Sequence, residues 1–269
     1  MSFYTSLNGL KNAQTGLSVI ANNLANAETT GFKKSRVNFS DIVSGTSASN
    51  PKLVKGIGSS VQSIDQNFSL GPTQQTGAAL DLAINGEGFF TKVSPVTGKT
   101  FFTRNGNFNL EGGFITDGQG NRLQVLPVDG VGNVTGTTPQ DAAVPAVNAA
   151  GAELLSVTVK VDGSVVAAFE DGTSQSVGKI ALAGFVAPNG LLQLGGQDWQ
   201  ATGISGPPNY GQPGAAKFGT MLSGSLEGSN VDIAEEMVGL ITAQRYFQAN
   251  AKAIDTATQL SQTIINLRS

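Results

Sequence analysis

Residues 230–268 read NVDIAEEMVGLITAQRYFQANAKAIDTATQLSQTIINLR. Ile233, Met237, Leu240, Gln244, Phe247, Ala251 and Ile254 recur at alternating steps of four and three. After one shortened step the seam continues through Ala257, Leu260, Ile264 and Leu267. This is the period of a helix that presents one stripe to another helix. Asn230 or Ser229 can cap its start, Asp232, Glu235 and Glu236 fall where the helix dipole favours acid, and Arg268 falls where it favours a cation. About 37 residues without a proline give a helix of roughly 55 Å. That length predicts a coiled coil or bundle rather than an ordinary globular helix.

Working outward, the opposite end of the chain carries the same period. Phe3, Leu7, Leu10, Gln14, Leu17, Ala21 and Leu24 mark a seam that runs to about residue 27, roughly 38 Å long. Ser2 can cap it, and Gly31 suits a left-handed C-cap, with Phe32 anchoring the exit. Burying five large seam residues yields on the order of 10 kcal/mol. Ordering some 26 residues costs about 1–2 kcal/mol each, only partly offset by helix hydrogen bonds. Such a helix therefore needs a partner of matching length, and the C-terminal helix is the obvious one.

Val19, Ile20, Val238 and Ile241 lie off the seam and ask for a second contact surface. Self-association along the helices supplies one; an intramolecular bundle, or a clasp on the middle of the chain, supplies another. Gln14 and Gln244 occupy seam positions, either as buried register-setting pairs or as solvent-facing residues in an imperfect seam. Asn22, Asn23 and Asn26 are poor helix formers. Their amides either bond across neighbouring helices or mark a fraying helix end.

Between the helices the chain changes character. Asn85-Gly86, Asn105-Gly106, Asp117-Gly118, Asp129-Gly130, Asp162-Gly163, Asp171-Gly172 and Asn189-Gly190 punctuate short β-rich runs, as tight hairpins require. Thr100–Arg104 precedes one such turn. Ser156–Val161 precedes another, and its alternation puts Val157, Val159 and Val161 on one face. The expected fold is α+β: paired terminal helices at 1–32 and 229–269, an extended linker at 33–70, and an antiparallel all-β domain at 71–228. Residues 131–152 read as a further extended connection.

Composition narrows the function. The chain has 269 residues, 35 of them Gly, with no His and no Cys. A thiol nucleophile, a His base, a His/Cys zinc site and a disulfide framework are excluded. Charged residues make up 13%, about half the ~25% usual for soluble domains. The 16 Lys and Arg against 19 Asp and Glu argue against a nucleic-acid partner. No apolar run approaches the ~20 residues needed to span a bilayer, and residues 1–6 do not read as a secretory signal.

Candidate sites fare poorly. Asp117–Asn121 starts like a calcium loop, but the twelfth position is Val128, not Glu, so it reads as a turn. Glu170-Asp171 and Glu235-Glu236 are adjacent carboxylates that point apart and suggest no acid–base pair. Gly56-Ile57-Gly58 and Gly118-Gln119-Gly120 complete no phosphate-binding pattern. Lys11, Lys33, Lys34 and Arg36 read as solvated, or as facing Asp232, Glu235 and Glu236 of a neighbouring copy. No catalytic, cofactor or metal site is expected, and no small-molecule substrate. A carboxylate-only hydrolase is the poorest reading; a β-rich secreted binding module, with Trp199 as a contact, is a better one.

A resemblance adds to this. Ala21-Asn22-Asn23-Leu24-Ala25-Asn26, followed by Thr30-Gly31-Phe32-Lys33, resembles the N-terminal signature of the bacterial flagellar rod and hook proteins. Leu80–Phe90 and Thr103–Phe108 are similar to the family's entry into its β domain, and Glu227–Asp232, Ala243-Gln244-Arg245 and Gln248–Ala251 to its C-terminal signature. Within the family, Met1-Ser2-Phe3, Asn121–Asp129 and Ile265–Arg268 look hook-like. The stretch from Phe39 to Asp81 is short for the extra segment of the distal rod protein, while a typical hook protein is longer and carries a second, outer β domain.

The resemblance implies a short hook protein, with rod proteins as the alternative. Its terminal helices would polymerise into a tube through Phe3, Leu7, Leu10, Gln14, Leu17, Asn22, Asn23, Leu24, Asn26, Ile233, Met237, Leu240, Gln244, Phe247, Ile254, Leu260 and Ile264. Its β domain would form an outer sleeve whose sliding contacts let the tube bend while transmitting torque. The implied partners are further copies, other flagellar axial proteins (rod, hook cap and hook–filament junction) and the flagellar type III export apparatus, which would carry the chain out without a cleavable signal.

Overall fold

The computed structural model describes residues 2–44, 55–129 and 132–268. In chain order, α1 spans Ser2–Ala25, β1 Ser35–Ser44 and β2 Lys55–Gln66. Shorter strands follow: β3 Thr73–Gln75, β4 Leu82–Asn85, β5 Phe89–Val93, β6 Thr100–Thr103, β7 Asn109–Glu111, β8 Phe114–Thr116, β9 Arg122–Leu126 and β10 Gln140–Asp141. The series continues with β11 Leu154–Val159, β12 Ser164–Phe169, β13 Ser174–Ile180, β14 Leu182–Gly184, β15 Leu192–Gly195 and β16 Asp198–Gln200. It ends with β17 Asn209–Gly211, β18 Thr220–Ser223 and β19 Ser225–Glu227, ahead of α2 at Ile233–Arg268. The class is α+β, as the periodicities require: two terminal helices flank antiparallel strands.

Two compact units result. One joins Met1–Ala27, Lys34–Asn67 and Val231–Ser269, and the other joins Glu28–Lys33 to Phe68–Asn230. We call them the helical unit and the β unit.

The stretch 33–70, expected to be a linker, is therefore mostly part of the helical unit. Its strands β1 and β2 form an antiparallel hairpin with register shifts at Asn38/Phe39 and Ile42/Val43. Each bulge moves the strand's phase by one residue. Both extra residues, Ile57 and Gln62, lie in β2, and they break its alternation between Val61 and Ile64, so that strand leaves no clean period-two signal. The centre of that stretch, Gly130 of the Asp129-Gly130 turn, and the side chains of Ser2 and Arg268 lie outside the described residues.

The β unit is built on a 13-stranded sheet whose main path runs β11-β12-β13-β9-β5-β6-β16-β15. Its core gathers Leu82, Ile84, Phe90, Leu123, Val125, Ile180 and Leu182. A second cluster stacks Phe89, Phe102 and Trp199 with Phe68 and Phe185 at its rim. The rings meet edge to face, Phe68 and Phe89 at 5.2 Å and Phe68 and Trp199 at 5.5 Å, the arrangement their quadrupoles favour. Trp199 is 1% exposed, which makes it a core residue and not a ligand contact.

Only some glycine dipeptides do what was expected. Gly163 and Gly172 take positive φ and close the β11–β12 and β12–β13 hairpins. Val157 and Val159 point inward as the alternation required, but Val161 lies past the strand end and is exposed. Asn105-Gly106 makes no hairpin, because β6 pairs with β5 and β16. There a glycine is required by space: a Cβ on Gly106 would lie 1.7 Å from the carbonyl oxygen of Leu82. Asp117–Asn121 is a turn, with Gly120 N–H donating to Asp117 O at 3.0 Å and Asp117 N–H to Asn121 O at 3.0 Å.

One buried charge cluster fastens the β unit at the residues where the chain enters and leaves it. Lys33 donates to Glu227 Oε1 at 2.5 Å and to Ser69 O at 2.7 Å. Arg104 donates to Glu227 Oε2 at 3.2 Å and to Gly86 O at 2.9 Å. Gly71 N–H gives Oε1 a further bond at 3.0 Å. Lys33 is thus neither solvated nor turned to a neighbour, and Glu227, which sequence patterning did not single out, is its partner. Burial lowers the pKa of both cations, and the Glu227 charge opposes that. Gly31 is likewise no helix cap: α1 stops at Ala25, and Gly31 lies in the β unit, donating its N–H to Glu227 O at 2.7 Å.

Candidate assembly surface

The residues expected to form the assembly interface lie in the helical unit. α1 and α2 pack against each other, and α1 also rests on the β1–β2 hairpin. The helices run antiparallel: a Cβ on Gly9 would meet Asn250 Oδ1 at 2.4 Å, Gly239 faces Ile20, and Asn23 reaches Glu236. Gly9 costs about 1 kcal/mol of helix propensity and gains the close approach that lets Asn250 fit. The hairpin is tied to α1 by Asn12, whose amide donates to Ser59 O at 2.9 Å and Ser59 Oγ at 2.8 Å. The hairpin gives α1 a second contact surface within the same chain, while the off-seam Val238 and Ile241 of α2 stay exposed.

The seam on α2 divides. Leu240, Phe247, Ala251, Ile254 and Ala257 are partly buried, and Glu236, Ala243 and Asn250 join them on that face. Ile233, Met237 and Gln244 turn outward, with Val238 and Ile241 beside them; Ile233 is 47% exposed and Met237 52%. On α1, Leu7, Leu10, Leu17 and Leu24 are partly buried, while Phe3, Gln14 and Asn22 are exposed. Both seam glutamines therefore face solvent within the chain and form no buried pair.

α2 has 36 residues against 24 in α1, so its far end overshoots by about 12 residues, or ~18 Å. Every residue from 258 to 267 is exposed, Leu260, Ile264, Ile265 and Leu267 among them. The outward residues near the start of α2 and this overhang are two apolar surfaces that the chain itself does not cover, separated by the exposed Gln244, Arg245, Gln248, Lys252 and Asp255.

The entrance to α2 is held by polar contacts. Asp232 caps it, accepting from Ala234 N–H at 2.8 Å and Glu235 N–H at 3.1 Å. The expected cap Asn230 is engaged elsewhere, donating to Ser69 O at 3.2 Å. Asn23 is 1% exposed and joins three elements. Its amide exchanges two 2.9 Å bonds with the Ser35 backbone, imitating a neighbouring strand, and donates to Glu236 Oε2 at 3.1 Å. Lys34 pairs with Glu235 and Glu236, both at 2.9 Å. Burial works against the charged Lys34, but the two carboxylates outweigh it and raise its pKa. The basic residue next to Lys33 thus meets Glu235 and Glu236 of its own chain. Asn26 simply bonds back to Asn22 O at 2.9 Å.

Replacing Asn23 with Ala leaves the Ser35 backbone and Glu236 short of partners, at a cost of about 1–3 kcal/mol. In protein whose helical unit is folded, hydrogen exchange of the α1 amides is expected to quicken roughly ten- to a hundredfold. Asn22→Ala, at an exposed position, serves as the control and should leave the rates unchanged.

Residues 3–33 match the family described as flagella basal body rod protein. Residues 83–167 match the flagellar hook protein FlgE/F/G D1 domain, and residues 222–267 the flagellar basal body rod FlgEFG protein C-terminal region. The flagellar basal-body rod protein FlgG of Bacillus subtilis strain 168 is 38% identical over 280 aligned residues, covering 99% of this chain and 98% of that protein. The chain belongs to the flagellar rod and hook protein family. Among its relatives, FlgG of Caulobacter vibrioides is 35% identical over 98% of both chains. The flagellar hook protein FlgE of Escherichia coli K12 is 27% identical across the whole of both, in an alignment of 410 residues. This flagellar family is structural and not enzymatic. Its first and last family regions contain the two helices, and its middle one lies in the β unit.

Proposed function

We propose that this chain is a structural subunit of the flagellar hook, polymerising through its terminal helices into a flexible tube that transmits torque. The observation that carries the reading is the pair of apolar surfaces on α2: Ile233, Met237, Val238 and Ile241, then Leu260, Ile264, Ile265 and Leu267, each 47% exposed or more. Burial of each such side chain is worth ~1.5–3 kcal/mol when complete. A head-to-tail contact of this kind that does not close into a ring grows as an open helical filament.

The β unit suits an outer sleeve. Among the described residues its solvent-facing ion pairs are Arg122–Asp141 and Lys179–Asp162, so lateral contacts can re-form without breaking buried charge pairs. Further copies, the rod, the hook cap and the hook–filament junction are the partners in this reading, and the flagellar export apparatus delivers the chain.

Hook-like segments at Asn121–Asp129 and the short span from Phe39 to Asp81 favour the hook. The rod is the second reading, favoured by relatives named as rod proteins that match this chain over almost their full length. Complementation separates the two: the chain restores motility to a strain lacking its hook protein and not to one lacking its distal rod protein. The reverse result assigns it to the rod. Electron microscopy of the purified chain is expected to reveal tubes that a variant lacking residues 1–30 does not form.

A further inference from the structure

Apart from the assembly surface, the least expected group in the molecule is a lysine enclosed by two carboxylates inside the β unit. Lys92 on β5 is 3% exposed, and Asp198 at the start of β16 is 5% exposed. Asp198 Oδ1 lies 2.8 Å from Lys92 Nζ and is a buried oxygen with no hydrogen bond of good geometry. On its other side the ammonium touches Asp117 Oδ2, in the turn after β8. Asp117 is held still by its own turn: Oδ1 accepts the backbone N–H groups of Gln119 at 2.8 Å and Asn121 at 2.9 Å, and Oδ2 accepts the Asn121 amide at 3.0 Å. The hydroxyls of Thr91, beside Lys92 on β5, and Thr116, beside Asp117 at the end of β8, are buried without hydrogen-bond partners.

An amine, a carboxyl carbon and a second acid held in contact, with the amine and the second acid buried, are the ingredients of an amide condensation. We propose that, once the β unit has folded, Lys92 and Asp117 join through an intramolecular isopeptide bond, with Asp198 as proton carrier. A bond forms between Lys92 Nζ and Asp117 Cγ, and the Cγ–Oδ2 bond breaks. Of the three ammonium protons, one stays on the new amide. The other two leave with Oδ2 as water, one passed directly and one by way of Asp198, which ends as it began. No oxidant or second substrate is needed. The Gln119 and Asn121 N–H groups already point at Oδ1, where negative charge develops as the carbon becomes tetrahedral. Fixed contact replaces the improbable encounter of amine and acid in water.

The two acids are set differently. Burial raises the Asp198 pKa, and Lys92 only partly offsets this, whereas hydrogen bonds from Lys92 and Asn121 overcome burial and hold Asp117 low. Asp198 is therefore suited to carrying a proton, while Asp117 rests as an anion beside the ammonium and becomes open to attack only when Oδ2 takes the first of the ammonium's protons. The Lys33–Glu227 pair offers a contrast: its third member is Arg104, a cation with no proton to shuttle, so the same chemistry is not expected there.

The test is the intact mass of the purified full-length chain in denaturant. The wild type is expected to be lighter than its sequence by one water. Proteolysis should yield a branched peptide joining the Lys92 and Asp117 segments, with trypsin unable to cut after Lys92. Asp198→Asn, confirmed as folded by near-ultraviolet circular dichroism, should slow closure by at least about a hundredfold. A wild-type mass equal to that of the sequence after folding and prolonged incubation overturns the proposal. So does a water loss that hydroxylamine reverses while Lys92 stays cleavable, since that marks a succinimide at Asp117-Gly118. The assignment to hook or rod does not bear on either result.

Discussion

Exchanging Glu227 for Ala is expected to destabilise the β unit by about 3–5 kcal/mol, the cost of stranding buried charges. Lys33 is 1% exposed and Arg104 3%, and both lose the carboxylate that neutralises them. Gly71 N–H loses its acceptor as well. The loss is read from urea unfolding followed by the fluorescence of Trp199, the single tryptophan, which is buried in the same unit. Glu227→Gln keeps an oxygen for Gly71 but no charge, and should fall between Ala and wild type. Because Lys33 and Glu227 stand at the two ends of the β unit in sequence, local unfolding should begin at residues 28–33 and 68–75. A change below 1 kcal/mol for Glu227→Ala would mean that water reaches the cluster and that the pairing described here is not what holds the chain entry.

The second large effect concerns assembly and not folding. Changing both Met237 and Ile264 to Glu places a charge on each of the two apolar surfaces of α2 that the chain leaves uncovered. Met237 is 52% exposed and Ile264 65%, so the single chain loses little packing. In a filament each carboxylate would be buried without a partner, at a cost of several kcal/mol per contact. Polymerisation is expected to cease, seen as loss of tubes by electron microscopy and of pelletable protein on ultracentrifugation. The folded β unit, monitored by Trp199, should be unchanged. Placing Glu at Leu240 and Phe247 instead, on the half-buried face, should damage the α1–α2 pairing itself. Tubes formed normally by the double Met237 and Ile264 variant would remove the uncovered apolar residues of α2 from the assembly mechanism.

Much of this was legible locally. Four-three spacing marked both helices, because a helix buries residues that are neighbours in its own sequence. The same spacing could not say which flank of the seam is covered. Leu240 and Phe247 turn inward while Met237 and Gln244 turn outward, and the difference is made by Gly9, Gly239 and the small or polar residues that let the helices approach. The hairpin at 35–66 was hidden by its two bulges. Asn23 stood out as an unusual helix residue, but its bonds to Ser35 and Glu236 depend on segments that the sequence places 12 and 213 positions away.

By itself the sequence determined the terminal helices, the β-rich middle and the lack of thiol and imidazole chemistry, since propensity, periodicity and residue inventory are properties of short stretches or of none. Only the tertiary structure decided where the charges go. Lys33 with Glu227, Lys34 with Glu236, and Lys92 between Asp117 and Asp198 are pairings across long sequence separations. A buried charge is tolerable only where a distant carboxylate arrives to meet it, and chain topology, which no local pattern encodes, fixes that meeting.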